Sequence, residues 1–311
     1  MEPQKKYCLL TNDVETTSIA NNNLSDAMGE RVLKEGLPLL LQLYAEYNIK
    51  ATFFFTGYIA EKFPEVVRMV LPYGHEVGSH GYSHKVDKAF DVLSFEEQVE
   101  HLRKSKSILE DISGQDVISF RAPAARVNRD TAIALKQVGF KVDSSVASQR
   151  FDMFLSFGGM KKLKWLVAPR KPYFTHEQNL MKRGSGDVFE IPISALIMPY
   201  IGTTMRIFPF TTRQLRKLLS WESSINSKPI VFLTHPNEFI DEISDGKKIV
   251  RRSSNYISYL LGDVIRRELK LKNLGLKAIP LYRKEIEYFN SNGFKFVTCK
   301  QYYENQINKE I

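Results

Sequence analysis

Apolar and polar residues follow two different periods along most of the chain, and this predicts strands and helices in regular succession. Continuous apolar runs predict buried strands at YCLLTND (residues 7–13) and ATFFFTG (residues 51–57). Apolar residues that recur every three to four positions predict a helix between them, over about residues 25–47. By the same criteria, the elements that follow are helix 64–74, strand 75–80, helix 94–112, strand 116–123, helix 128–140, strand 141–146, strand 188–194, helix 211–225, strand 229–235, helix 280–290 and strand 294–298. Strands that alternate with helices favour parallel pairing, so we predict a barrel or a doubly wound sheet.

The 311 residues are predicted to form a single domain, because neither an internal repeat nor a low-complexity linker divides them. We place its core at about residues 5–240, an insertion at about 241–277, and a C-terminal helix and strand at about 278–311. Residues 146–187 have little periodicity and carry aromatic and basic groups, which favours a long functional loop. Two helix starts carry capping residues, namely Ser94 with Glu97 as a capping box, and Asn128.

Composition excludes several classes of protein. Hydrophobic residues at 43% and charged residues at 25% are typical of globular chains, so disorder is not expected. No run of about 18 uncharged apolar residues predicts a membrane-spanning helix, and the N-terminus lacks the apolar region of a signal peptide. We therefore expect a cytoplasmic protein. Cys8 and Cys299 belong to no metal-type or redox-type pair and are expected to be buried thiols.

The net charge of +9 suggests an acidic partner. Residues 160–172, MKKLKWLVAPRKP, contain five cationic side chains and no acidic one. No nucleic-acid motif is present, so we expect no nucleic-acid partner. An anionic glycan, a phosphate-bearing substrate or an anionic membrane surface fits the charge, and a solvated loop without a partner remains an equal alternative.

The polar residues that stand out all follow predicted strands. They are Asp13 and Glu15 after the first strand, His80 and His84 after the third, Arg121 and Asp143 at the next two, and His235 at the end of PIVFLTH. The carboxyl ends of parallel strands meet at one edge of a sheet, where sites are built in such folds. We therefore expect these side chains to lie close together.

Two of these pairs suggest a metal site. His80 and His84 are four residues apart, a spacing that places both imidazoles on one face of a helical turn. Asp13 and Glu15 are two apart on a strand and point to the same side. Two imidazoles and one carboxylate, with open positions left, form the pattern of a catalytic zinc-like site. Surface histidines and a solvated strand end are the alternative interpretation.

The remaining residues fit the work of a hydrolase. The second carboxylate could accept a proton from water, and Arg121 beside it would keep that carboxylate ionised and oriented. His235 could then protonate a leaving nitrogen. A structural salt bridge for Arg121 and a hydrogen-bonded core histidine for His235 are the alternatives.

Taken together, these motifs resemble those of the polysaccharide deacetylase family, the carbohydrate esterases with a NodB-type domain. The resemblance extends over about residues 7–241 and again near GFKFVT, and it rests on TNDVET, SHGYSH, Arg121-Ala122-Pro123, GFKVDSSV and FLTHPNEF. APRKPYF and VFEIPIS are similar to the subgroup tied to exopolysaccharide biosynthesis. The resemblance implies a distorted, incomplete (β/α) barrel with roughly seven parallel strands.

The resemblance also implies a role for each residue of the set. They are Asp13 as base, Glu15, His80 and His84 as metal ligands, Arg121 holding Asp13, the Ala124 backbone N–H as oxyanion donor, His235 as acid, and Asp143 supporting that acid. The usual adjacent pair of aspartates is spread here to Asp13-Val14-Glu15, so an exchange of roles between the two acids stays open. Ala124 replaces an aromatic residue, and no tryptophan follows Asp143.

The predicted function is a metal-dependent hydrolase that removes an N-acetyl group from an amino sugar in a glycan or glycolipid precursor. Zn²⁺ is the expected ion, with Co²⁺, Ni²⁺ and Mn²⁺ as alternatives. A deformylase, or another amide hydrolase acting on a lipid- or phosphate-linked amino sugar or a small amide, would have a similar sequence. A non-catalytic sugar-binding protein with a decayed site is the alternative of another class. The basic segment and the N-terminus favour a cytoplasmic location, with peripheral contact at the inner membrane face.

Overall fold

The computed structural model describes residues 5–21, 23–149, 165–242 and 264–308, and every statement on the structure concerns these ranges. Its strands are β1 Lys6–Val14, β2 Thr52–Phe55, β3 Glu76–Ser79, β4 Ser119–Phe120, β5 Val142–Asp143, β6 Tyr173–His176, β7 Asn179–Arg183, β8 Phe189–Glu190, β9 Ala195–Leu196, β10 Met198–Pro199, β11 Ile230–Thr234 and β12 Phe294–Phe296. Its α-helices are α1 Asp26–Arg31, α2 Leu37–Glu46, α3 Gly57–Lys62, α4 Glu65–Arg68, α5 Phe95–Ser113, α6 Thr131–Val138, α7 Gly202–Ile207, α8 Pro209–Asn226, α9 Arg266–Leu271, α10 Ala278–Ser291 and α11 Cys299–Ile307.

The main sheet is open and mixed. Within the described ranges, seven strands run parallel in the order β11-β1-β2-β3-β4-β5-β8, and β12 adds a parallel partner to the start of β1. The hairpin β6–β7 continues the sheet beyond β8 with antiparallel pairing, so the sheet does not close. This arrangement agrees with the predicted incomplete barrel and its seven parallel strands.

The first helical segment is confirmed but is not regular. Helix α1 passes through a π-helical turn, Val32–Gly36, into α2. Pro38 near the start of α2 has no backbone N–H and therefore cannot make the hydrogen bond that an α-helix requires there. Proline and π-turns are the usual causes of such irregularity, and the two occur together here.

Of the two predicted helix caps, one is confirmed and one is wrong. Ser94 and Glu97 form both hydrogen bonds of a capping box at the start of α5. Asn128, in contrast, does not cap α6, because that helix follows Asp130. The Asn128 side chain accepts a hydrogen bond from the Asp130 N–H at 2.9 Å, a local turn that precedes the helix.

Buried apolar side chains fill both faces of the sheet. β1 and β2 are buried on both sides, as expected for central parallel strands covered by helices. Cys8 and Cys299 are free, buried thiols, as predicted. None of the helices in the described ranges combines the length and the hydropathy needed to cross a bilayer.

The sequence did not predict the hairpin β6–β7, which lies within residues 146–187. Its strands are partly exposed and irregular, with a register shift beside Thr175, so apolar alternation is weak. Helices α3, α7 and α11 were also missed. Most of the predicted insertion 241–277 lies outside the described residues, as do residues 150–164.

Candidate active site

The carboxyl ends of β1, β3, β4, β5 and β11 meet at one edge of the sheet and carry the site. On β1, Thr11 and Asp13 point to the same side, because alternate residues of a strand share a face. Arg121, which follows β4, contacts both through its Nη1, at 2.8 Å from Thr11 Oγ1 and 3.0 Å from Asp13 Oδ1. The strand order therefore brings together residues more than a hundred positions apart.

Arg121 is a buried cation whose position is fixed on several sides. Its Nε donates to the Ser144 carbonyl and its Nη2 to Ser144 Oγ, both at 2.8 Å. The guanidinium lies over the Phe54 ring, 4.4 Å from its centroid. Burial alone would raise the pKa of Asp13, but Arg121, followed by His80 and His235, lowers that pKa below its ordinary value. Asp13 is therefore an ionised, oriented carboxylate at neutral pH.

Glu15, His80 and His84 form a group that fits a divalent cation. One ligand atom from each of the three lies within 4.8 Å of the others. His84 Nε2 is 3.0 Å from Glu15 Oε2, yet that buried oxygen receives no hydrogen bond from any described residue. A buried carboxylate oxygen without a donor, facing two imidazoles, is the arrangement that a cation completes.

The imidazole of His80 is held in the form that a ligand needs. Its Nδ1 lies 2.8 Å from the Arg121 carbonyl oxygen, which can only accept, so Nδ1 carries the proton and Nε2 keeps its lone pair. Burial lowers the pKa of His80 against the opposing charge of Asp13, which favours the neutral ring.

The two histidines do not share a helical turn, so that part of the sequence interpretation was wrong. β3 ends at Ser79, and the chain then turns at Gly81, whose φ is +67°. A Cβ at Gly81 would lie 2.9 Å from Phe90, so both conformation and space require glycine there. The turn brings the rings of His80 and His84 to 5.5 Å between centroids.

His235 follows β11 and faces the same carboxylate as Arg121. Its Nε2 lies 3.9 Å from Asp13 Oδ2, and its Nδ1 is 3.0 Å from Glu238 Oε1. The other oxygen of Glu238 accepts a hydrogen bond from Arg206 Nε at 2.8 Å. Burial works to lower the pKa of His235, but Glu238, with help from Asp13, raises it to about 9. His235 is therefore mainly protonated at neutral pH.

Glu238 was not found by sequence reasoning. It lies three residues after His235 in FLTHPNEF, within the short 3₁₀ turn Pro236–Phe239 that returns its side chain to the ring. The sequence motifs predicted that Asp143 would support His235. Asp143 is fully buried at the end of β5 and accepts a hydrogen bond from Ser145 Oγ at 2.6 Å, while Glu238 makes the contact to His235.

The turn Pro123–Ala125 after β4 contains Ala124, whose backbone N–H is the predicted oxyanion donor. Ala124 and Ala125 both have φ of +52°, a left-handed conformation that is uncommon for alanine. The residue that precedes the turn is held by a contact from outside it, because the Ala122 N–H donates to Ser145 Oγ at 2.8 Å. Strained backbone of this kind is found at functional sites, where the surrounding contacts maintain it.

Comparisons with known proteins match part of the chain by sequence. Residues 4–142 match the sequence model of the family described as polysaccharide deacetylase. A peptidoglycan deacetylase of Helicobacter pylori is 34% identical over 116 residues, which cover 37% of this chain and 39% of that protein. A peptidoglycan-N-acetylglucosamine deacetylase of Bacillus cereus is 33% identical over 93 residues, covering 30% and 33% respectively. The matched segment thus spans well under half the length of these relatives.

A solved structure shows the fold over the whole length. A Mycobacterium smegmatis protein described as a polysaccharide deacetylase superposes with a TM-score of 0.62 at 18% identity, covering 100% of this chain and 94% of the other. The fold is a curled, open mixed sheet, a half-barrel of the deacetylase type, and the fold prediction is confirmed. In sequence, residues 4–142 are thus similar to the polysaccharide deacetylase family. The exopolysaccharide-related subgroup stays a prediction.

Proposed function

We propose that the protein is a metal-dependent hydrolase that removes an N-acetyl group from an amino sugar in a glycan or glycolipid precursor. One observation carries the proposal: the ligand set Glu15, His80 and His84 lies beside a buried carboxylate, Asp13, that is salt-bridged to Arg121 at 3.0 Å. Metal ligands, a base and a protonated imidazole at one edge of the sheet are the parts that amide hydrolysis requires.

Glu15, His80 and His84 would hold the ion, and their two nitrogens and one oxygen suit Zn²⁺, with Co²⁺, Ni²⁺ and Mn²⁺ as alternatives. When bound, such an ion polarises the acyl carbonyl and makes hydroxide available at neutral pH. The remaining chemistry belongs to side chains of this chain.

Asp13 accepts the proton of the attacking water, and Arg121 keeps Asp13 oriented. His235, protonated at Nε2, gives a proton to the leaving amine, which would otherwise depart as a poorly stabilised amide anion. Glu238 holds the other ring nitrogen and so fixes the orientation and the charge of the imidazole. The Ala124 N–H would donate to the carbonyl oxygen as negative charge develops there.

The substrate class is supported by the names of the relatives, which are deacetylases of peptidoglycan or of its N-acetylglucosamine. A lipid- or phosphate-linked amino sugar, and contact with an anionic membrane surface, rest on the basic segment 160–172. Arg170 of that segment is paired with Glu222 of α8, which reduces its share in any such contact. Lys161, Lys162 and Lys164 lie outside the described residues. A cytoplasmic location is likewise a proposal.

Two alternative functions make different experimental predictions from the proposed deacetylase. A deformylase or another amide hydrolase would use the same side chains on a different acyl group. A sugar-binding protein with a decayed site would hold no stoichiometric divalent ion. The carboxylate and both imidazoles of the ligand set are present and close together, which favours an enzyme.

The test is a mass-spectrometric screen of N-acylated amino sugars, free and diphospho-linked, for loss of an acyl group. The wild type and a matched control, His176→Ala on the exposed end of β6, should release the acyl group. Asp13→Asn and His80→Ala should not. Release that is unaffected by Asp13→Asn would contradict the proposal, and the mass of the product identifies the acyl group.

A further inference from the structure

We propose that Glu190 is a positioning residue of this site, because it shares a single proton with Asp143 and the pair fixes the turn that presents the Ala124 N–H. The inference rests on the proposed function for the role of that turn. The pairing of the two acids itself can be measured independently of any activity.

The two carboxyl groups are neighbours in the sheet. Asp143 on β5 and Glu190 on β8 are partners in the parallel register, and both side chains are fully buried. Each group has one oxygen that receives no hydrogen bond from a described donor, Asp143 Oδ2 and Glu190 Oε2. A proton between them would satisfy both oxygens at once.

Electrostatics favour one proton over two separate charges. Two ionised carboxylates side by side and away from water repel each other, so one of them retains its proton. Burial raises the pKa of both groups, and the neighbouring charge of Asp143 raises that of Glu190 further. Among the described residues, Arg121 is a cation that faces the pair, but it is already salt-bridged to Asp13, and Tyr173 is a further titratable group nearby.

The other two oxygens of the pair hold the loop that follows β5. Asp143 Oδ1 accepts from Ser145 Oγ at 2.6 Å, and Glu190 Oε1 accepts from the Val146 N–H at 3.1 Å. Because the Ser145 hydroxyl donates to Asp143, its oxygen is free to accept from the Ala122 N–H at 2.8 Å. With the proposed proton between the two acids, a chain of hydrogen bonds runs from Glu190 through Asp143 and Ser145 to Ala122, the residue that precedes the turn.

That turn needs external support. Ala124 and Ala125 are held in a left-handed conformation that alanine does not choose by itself. Ala122, separated from them by Pro123, is fully buried, and its N–H is the point at which the chain of hydrogen bonds ends. Loss of the pair would let the turn relax and move the Ala124 N–H from the position that catalysis requires.

The test uses three variants of the full-length, metal-loaded protein. Glu190→Gln keeps a donor toward Asp143, so kcat should stay close to that of the wild type. Glu190→Ala removes the pair, and kcat should fall by about 10²-fold, as when an oxyanion donor is lost, with KM and metal content unchanged. Glu222→Gln is the control, since Glu222 is an ionised glutamate paired with Arg170 and Lys228.

Infrared difference spectra supply the readout that activity cannot. The spectrum of the wild type minus that of Glu190→Gln should contain the band of a buried protonated carboxyl group, and the spectrum of the wild type minus that of Glu222→Gln should not. A wild-type spectrum without that band would overturn the inference, and so would an unchanged kcat in Glu190→Ala. If Asp13→Asn abolishes acetate release while Glu190→Ala does not, the inference fails and the proposed function stands.

Discussion

Asp13 and Glu15 are two residues apart on one strand edge, yet their surroundings are opposite. Asp13 is salt-bridged to Arg121 and has His80 Nε2 at 3.8 Å and His235 Nε2 at 3.9 Å. Glu15 has a buried oxygen to which no described residue donates a hydrogen bond, and the near neighbour of this oxygen is an imidazole nitrogen of His84. The charge of Asp13 is balanced by Arg121, whereas Glu15 has an oxygen that a cation could bind.

This difference bears on the question that the sequence left open, namely which acid is the base and which is the ligand. A carboxylate held by arginine is oriented to accept a proton, and a buried carboxylate oxygen without a donor is suited to coordinate a metal. We therefore favour Asp13 as the base and Glu15 as the ligand. The predictions below separate the two acids, beginning with the largest effect.

Replacing Asp13 should remove activity without removing the metal. Asp13→Asn is nearly isosteric but cannot accept a proton, so kcat/KM for acetate release should fall by about 10³-fold or more. Metal content, measured on the same preparation, should match the wild type. Asp187→Asn, at an exposed salt bridge with Lys136, is the matched control and should remain active. An Asp13→Asn protein that loses both activity and metal would assign Asp13 to the ligands.

Replacing Glu238 should alter the general acid, His235, and not the general base, Asp13. His235 acts while protonated, so activity is lost as pH rises through its pKa, which is about 9. Glu238→Gln removes the charge that raises this pKa, and the alkaline limb should move to lower pH, toward the ordinary value of about 6.5. An NMR titration of His235 in the metal-free protein checks the shift directly. A pKa unchanged in Glu238→Gln would show that another group sets it.

The stability linked to His235 has a definite sign. Its pKa is raised on folding, so the contribution is complete below about pH 6.5 and is lost as pH rises through about 9. The difference in free energy of unfolding between wild type and Glu238→Gln should therefore shrink between pH 6.5 and pH 9. A difference that stays constant over this window, measured by urea denaturation, would argue against the linkage.

Replacing Gly81 should lower stability through both backbone strain and crowding. Gly81 and Gly114 have nearly equal φ, +67° and +66°, but a Cβ at Gly81 meets Phe90 at 2.9 Å and a Cβ at Gly114 meets nothing within 4 Å. Gly114→Ala should lower the free energy of unfolding by about 1 kcal/mol, the cost of left-handed backbone. Gly81→Ala should cost about 1–3 kcal/mol more, because of crowding, and should weaken metal binding. Equal losses in the two variants would mean that Phe90 moves aside without consequence.

Much of the fold could be predicted because its central strands are plain in the sequence. β1 and β2 are apolar on both faces, and such runs are recognisable without any partner. The hairpin β6–β7 has no comparable pattern, because its strands are short and partly exposed. The turn between His80 and His84 was misread because spacing alone cannot distinguish a helix from a loop bent at Gly81.

The supporting residues of the site were harder to predict than the reactive ones. The role proposed for Glu190 depends on its pairing with Asp143, 47 residues earlier in the sequence, and this pairing is visible only in the strand register. Glu238 is visible in the sequence as a carboxylate three residues after His235, but its contact with the imidazole depends on the turn between them. Sequence motifs therefore indicate which groups react more readily than which groups hold them.

Metal binding by paired variants tests the central claim most directly. Glu15→Gln and Asp13→Asn change neighbouring acids by the same chemical step, and Zn²⁺ titration by calorimetry measures binding without any substrate. We predict that Asp13→Asn binds one Zn²⁺ per chain with an affinity near that of the wild type, and that Glu15→Gln binds at least about 10-fold more weakly, as expected for a lost ligand. Weaker binding in Asp13→Asn together with unaltered binding in Glu15→Gln would contradict the account.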